Sequence, residues 1–123
     1  MLKVFLCQQK AGLDESDIHA TGDAIFSRLP GLLGDDVREI PGASEMTLAR
    51  NTAAWCLGYD ITMMSEADAV VFAPGWEQSK DCRIQHHICE EYGIPYMNLT
   101  KVSDEYWPLI GSKERTECIR LRN

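Results

Sequence analysis

Along the chain the apolar residues alternate between continuous runs and a period near 3.6, the pattern that successive strands and helices leave in a sequence. Leu2–Cys7 is an apolar run interrupted only by Lys3 and predicts a first strand. A loop comes next, over residues 8–12, and Asp14 can cap a helix whose apolar positions are Ile18, Ile25, Phe26 and Leu29. Pro30-Gly31 is expected to stop that helix. A weakly marked second strand falls at residues 36–40 and a loop at 41–45. Leu48, Thr52, Trp55, Cys56, Tyr59 and Met63 then keep i+3/i+4 spacing, which predicts one long helix ending near Glu66.

Residues 68–73 form the clearest strand, apolar on both faces after Asp68, as a central parallel strand requires. Pro74-Gly75 breaks it. Ser79 is a good N-cap and Asp81 complements the positive helix end; the helix is expected to reach Tyr92, with Gly93 past its end and Pro95 soon after. Residues 94–99 predict another strand. In the last stretch, 100–123, Trp107, Leu109 and Ile110 lie beside Pro108 and Gly111, which suggests a short helix or loop. The alternation of Cys118-Ile119-Arg120-Leu121 suggests a terminal strand.

Strands and helices in alternation argue for an α/β fold, because right-handed crossovers place helices on both faces of a parallel sheet. The expected architecture is a three-layer Rossmann/flavodoxin-like parallel sheet of four to five strands, the first four ordered 2-1-3-4. Such sheets bind ligands past the carboxyl ends of their strands, where the connections change direction. That point lies between the first and third strands, where loops 8–12 and 74–79 would meet.

Composition narrows the partners. The 123 residues suit one domain, 1–123, and 12 basic against 19 acidic residues give a net charge of -7. That field repels nucleic-acid polymers and anionic membrane surfaces, while a small nucleotide in a local pocket stays compatible with it. No apolar stretch approaches the roughly 20 residues that span a bilayer, and the chain enters its first strand without a signal-peptide core. The expected location is the cytoplasm. Cys7, Cys56, Cys82, Cys89 and Cys118 are odd in number and form no C-x-x-C pair, so reduced, mostly buried thiols are expected.

The residues that could carry chemistry cluster after the third strand. The 74–79 turn offers backbone N–H groups at a helix N-terminus, and Trp76 an aromatic face for a planar ring or, equally, a packing group. Ser79 can be a cap, a ligand donor, or both. Asp60 lies near the C-terminal end of its helix, where the dipole disfavours a carboxylate, so it is either compensated by a partner or simply solvated. Asp68 reads as a turn residue. On the next helix Cys82, Gln85, Ile88, Cys89 and Tyr92 share one stripe, which places the Gln85 amide on an inward face in need of a partner, either ligand or core. Cys82, His86 and Cys89 share one helix, a poor arrangement for tetrahedral zinc, so no metal is expected and His86-His87 read as an exposed pair. The chain has no G-x-G-x-x-G, Walker A or G-x-S-x-G element, which disfavours dinucleotide, NTPase and serine-hydrolase chemistry; no cofactor is expected.

The run Tyr59-Asp60-Ile61, Met64, Ala67-Asp68-Ala69-Val70-Val71, Pro74-Gly75-Trp76-Glu77 and Ser79 resembles the nucleoside 2-deoxyribosyltransferase-like family, in particular its uncharacterised bacterial and phage branch. There the pattern is approximately D-I-x-x-L-x-x-A-D-A-[IV], an apolar strand, then P-G-W-E-x-S-x-G-A-x-x-E. The likeness extends over about residues 1–99 and is most specific between Asp60 and Gln85. It implies a Rossmann-like sheet, a nucleoside or nucleotide site, and a homodimer or higher homo-oligomer whose neighbours complete each other's pockets. It also implies a carboxylate nucleophile at the position of Gln85, attacking the anomeric carbon to form a glycosyl-enzyme while an acid assists the departing base. Asp60 matches another acidic position of that site.

The chain departs from this pattern at the chemistry. Gln85 is an amide, which can hydrogen-bond a sugar hydroxyl but cannot form the glycosyl ester. Asp81-Cys82 replaces a small Gly-Ala pair, and the turn after the first strand is Cys7-Gln8-Gln9-Lys10, leaving Gly12 alone. The expectation is therefore a nucleoside- or nucleotide-binding protein without covalent glycosyl transfer. Its ligand contacts would be Gln8, Gln9, Gly12, Pro74, Gly75, Trp76 and Ser79, with Asp60, Glu77 and Gln85 at the catalytic positions. One alternative is an active N-glycoside hydrolase or deoxyribosyltransferase using Glu77 or Asp60. Another is a protein-interaction module with a vestigial pocket. A weaker analogy links the loop to the P-G-G-x-G-T-x-x-E element of cytokinin-activating phosphoribohydrolases.

Overall fold

The computed structural model describes residues 1–102 and 105–108. Five strands form one sheet in the order β2-β1-β3-β4-β5. They are β1 (Leu2–Cys7), β2 (Val37–Glu39), β3 (Ala69–Phe72), β4 (Tyr96–Val102) and β5 (Glu105–Pro108). The first four are mutually parallel, with Val4 opposite Ala69, Cys7 opposite Phe72 and Val70 opposite Tyr96. β5 closes the edge antiparallel to β4, a strand where the sequence suggested a short helix or loop. The alternation expected at 118–121 lies outside the described residues.

The period-two alternation of the strands divides the core into two layers. Leu2 and Val4 of β1 with Ala69 and Val71 of β3 pack against Ile25 and Leu29 of helix α1 (Glu15–Leu33). On the other face Phe5 and Cys7 with Val70 and Phe72 meet Met64 of α3 (Ala53–Ser65) and Cys82 and Cys89 of α4 (Lys80–Tyr92). Helices therefore cover both faces, the three-layer α/β arrangement that the sequence predicts. Among the described residues no helix is long and apolar enough to cross a membrane.

Two helix boundaries differ from expectation. α1 runs through Pro30 to Leu33 and ends at Gly34, whose left-handed conformation (φ 73°) lets its N–H bond the Pro30 carbonyl at 2.9 Å. Continuing the helix packs Leu32 and Leu33 against the core, which offsets the single intrahelical bond that proline removes. The long helix predicted across residues 48–66 is instead two helices, α2 (Glu45–Arg50) and α3. Asn51 Nδ2 donates to the Thr47 carbonyl at 3.0 Å, and Thr52 Oγ1 accepts the Trp55 N–H at 3.1 Å. Both side chains compete with the helical ladder and end it. The residues at helical spacing divide between surface and core: Leu48 is 48 % exposed, Trp55 51 % and Tyr59 38 %, while Cys56 is buried, as is Met64.

Candidate ligand-binding cleft

β1 and β3 end side by side, and the segments leaving the two strands build the site. The Ala73 N–H bonds the Cys7 carbonyl at 2.9 Å, extending the pairing one residue beyond β3. Gly75 then turns the chain at φ 88°, a value that L side chains rarely adopt. A 3₁₀ turn over Trp76–Gln78 leads to Ser79, whose Oγ accepts the Cys82 N–H at 3.2 Å and caps α4. Between this segment and the loop after β1 lies a cleft of about 450 Å³. Gln8, Gln9 and Lys10 lie on one side; Gln78, Ser79, Lys80, Asp81, Cys82 and Gln85 on the other, with Cys7 at the end of β1 and Asp60 of α3 also on the walls.

Gln85 is the most enclosed polar group of the cleft. The residue is 4 % exposed, and its amide, open to the cleft, forms no hydrogen bond within the described residues. Of the two partners the stripe allowed, core or ligand, the fold supplies none from the core. Asp60 does have a protein partner: its Oδ1 accepts the Ala43 N–H at 2.7 Å. A side chain at Gly42 would place its Cβ 2.8 Å from the same oxygen, so glycine there is what allows the loop this close. Burial pushes the Asp60 carboxyl above the ordinary range; the Ala43 N–H and Lys10 oppose that rise, and Asp81 adds to it.

The neighbouring thiols are chemically quiet. Burial drives Cys7 well up, with Cys82, Cys89 and Asp60 adding to the effect, and burial likewise raises Cys82 and takes Cys89 to about 12. All remain protonated at neutral pH, which makes them poor nucleophiles. Cys7, Cys56, Cys82 and Cys89 are buried and free, as their spacing predicts, while Cys118 lies outside the described residues. Among the described residues no three His, Cys, Asp or Glu side chains converge as a metal site.

Of the residues singled out from the sequence, the fold brings Gln8, Gln9, Asp60, Ser79 and Gln85 together at the cleft. Gly12, Pro74, Gly75, Trp76 and Glu77 are not on its walls. Gly75 acts one step back, its position 3.7 Å from Gln9 Oε1 as judged by where a Cβ would stand. Trp76 takes the packing role: its ring stacks on His86 at 4.0 Å and 8° and leans on Phe72 at 5.5 Å. Glu77 is exposed, and its carbonyl accepts from Arg83 Nη1 at 2.8 Å. Asp68 accepts the Lys3 N–H at 2.8 Å, the structural role expected of a turn residue.

His86 is the residue that helical spacing misplaces. Only 7 % exposed, it has Nδ1 2.8 Å from Glu90 Oε1 and Nε2 3.1 Å from Asn98 Oδ1, with Phe72 and Tyr96 edge-on to its ring. The i+4 glutamate is legible in the sequence; the β4 asparagine and the Trp76 stack are long-range contacts that spacing does not encode. His87 is exposed as expected. Lys10 and Gln78 line the cleft from the two loops that the sequence places at the switch point, though neither is singled out there as a contact, and Lys80 and Asp81 join them from the first turn of α4.

Fold and site together define an open, doubly wound α/β protein with a polar cleft at its topological switch point, the place where such sheets hold ligands. Comparison of the chain with protein-family models, curated proteins and solved structures gives no match.

Proposed function

We propose that the protein binds a nucleoside or a closely related nucleotide in this cleft and does not carry out covalent glycosyl transfer. The observation that carries the reading is Gln85, a buried amide facing the cleft with its donors and acceptor unused by the described residues. The amide reaches the cleft with its hydrogen-bonding capacity unspent by the described residues, so a ligand that replaces solvent there gains about 0.5–1.5 kcal/mol per bond. Gln8, Gln9 and Gln78 add three more amides, which match the mixed donors and acceptors of base edges and ribose hydroxyls. The volume falls within the roughly 300–1,000 Å³ usual for small-molecule sites. An amide at position 85 cannot form a glycosyl ester, and that separates this chain from the enzymes it resembles.

A hydrolytic reading runs through Asp60, since Glu77 stands off the cleft. A half-buried carboxyl with a raised pKa suits a general acid or base. The outer face of α3, with Trp55 and Tyr59 stacked at 5.8 Å and no basic residue along the helix, supports association with a second copy of the chain. Four free thiols suit a reducing compartment such as the cytoplasm.

Thermal-shift titration with nucleosides, deoxynucleosides and their 5′-monophosphates tests the binding. At least one member is expected to stabilise the wild type, with Gln85→Ala weakening it about 10-fold, the equivalent of one buried hydrogen bond. Chromatography of the same mixtures is expected to yield no free base. Release of base that Asp60→Ala abolishes would replace the binder with a hydrolase. Silence across the whole panel would leave the interaction module.

A further inference from the structure

The wall of the cleft formed by α4 carries an acid where phosphates are commonly held. A helix N-terminus attracts anions through its free N–H groups and its dipole, and the first turn of the 13-residue α4 faces the cleft. Here the chain's own groups already answer that attraction. Ser79 Oγ takes the Cys82 N–H, and Asp81 places a carboxylate in the first turn, on the cleft wall. Lys10 across the cleft and Lys80 beside Asp81 place two positive charges on the walls against the carboxyls of Asp60 and Asp81, so Asp81 is what keeps the lining from carrying a net positive charge. Lys10 draws the Asp60 carboxyl down while Asp81 pushes it up. The enclosed end of the cleft is neutral, formed by the Gln85 amide.

We propose that Asp81 sets the specificity of the cleft, so that it accepts an uncharged nucleoside and rejects the 5′-phosphorylated form. The inference rests on reading the cleft as a nucleoside site, for which the phosphate ester is the charged alternative. A phosphate monoester brings a charge of about −1.5 to −2 at neutral pH. Held at the α4 terminus, it would stand against Asp81 and within reach of the field of Asp60. A nucleoside meets no such repulsion, and glutamine amides satisfy its hydroxyls and base edge. Discrimination of this kind works through a repulsive element built against the wrong ligand as much as through contacts to the right one.

Isothermal titration of the wild type, Asp81→Asn and Asp81→Glu with the four deoxynucleosides, their 5′-monophosphates and inorganic phosphate tests this at low and at physiological salt. The wild type and Asp81→Glu should prefer nucleoside over monophosphate. Asp81→Asn should narrow that preference by about 3- to 10-fold, more at low salt because an exposed charge is screened. Inorganic phosphate should bind Asp81→Asn more tightly than the wild type. A wild type that takes monophosphate as well as nucleoside, or a preference unchanged in Asp81→Asn, overturns the inference while the nucleoside reading stands. If no nucleoside binds, that reading falls alone and phosphate decides on Asp81: binding no tighter to Asp81→Asn than to the wild type overturns it.

Discussion

Asp60 shows how a single carboxylate can be tolerated at an unfavourable place. It sits past the middle of α3, more than a turn ahead of Ser65 and half out of water, where the cost is burial and the Ala43 N–H supplies its hydrogen bond. Because burial raises its pKa in the folded state, the protonated form is favoured on folding. The stability it contributes is therefore fully present at low pH, below the unfolded value, and is lost as pH rises through the folded value. Asp60→Asn keeps an oxygen for the Ala43 N–H and removes the titration. In urea unfolding the variant is expected to gain on the wild type at pH 7, and that advantage should shrink as pH falls into the ordinary carboxylate range. A constant difference across pH would mean that Asp60 titrates normally. The residue types at this scale are readable from the sequence: an amide at 85, an acid at 60, a cap at 79. Their partners are not, because Ala43 is 17 positions from Asp60 and only the crossing of the 41–44 loop over α3 brings them together.

At the scale of elements, the turn between β3 and α4 depends on packing behind it. Trp76, Phe72 and His86 pack in mutual contact, and His86 is in turn held by Glu90 on its own helix and Asn98 on β4. That cluster fixes the 3₁₀ turn from which Gln78 and Ser79 enter the cleft. His86→Ala should cost about 2–4 kcal/mol in chemical denaturation, combining lost ring packing with lost hydrogen bonds. Glu77→Ala, on the exposed side of the same turn, should stay within about 0.5 kcal/mol and leave ligand binding intact. Comparable losses for the two would contradict the division of this turn into a packed side and a solvent side. Existence and order of the elements follow from periodicity, but periodicity merges α2 and α3 into one helix. Thr52 fits an i+3/i+4 stripe as well as it fits an N-cap, and the pattern alone does not say which of the two uses prevails.

For the molecule as a whole, the proposed self-association rests on the outer face of α3. Of the residues that share helical spacing, Cys56 enters the core while Leu48, Trp55 and Tyr59 stay at the surface. An aromatic pair left outside on a helix without basic residues is an apolar surface of the kind that supports the proposed pairing of two copies. Sedimentation at micromolar concentration is expected to give a dimer or larger species for the wild type and a monomer for Trp55→Glu, with the circular dichroism of the variant unchanged. A monomeric wild type would remove this face from consideration.

What the sequence determined by itself was the alternation of elements, hence a parallel α/β sheet and a site past β1 and β3, because hydrophobic period and turn residues are local properties of the chain. It also determined that position 85 lacks a nucleophile, which is a matter of side-chain identity. The tertiary structure alone decided that Gln78 joins Gln8, Gln9 and Gln85 on the cleft, that Trp76 belongs to His86, that Glu77 stands aside and that Asp81, which the sequence puts at the helix start, lies on the cleft wall. Those are distances between residues far apart along the chain, or choices between two faces of one helix, and they are settled only when the layers pack.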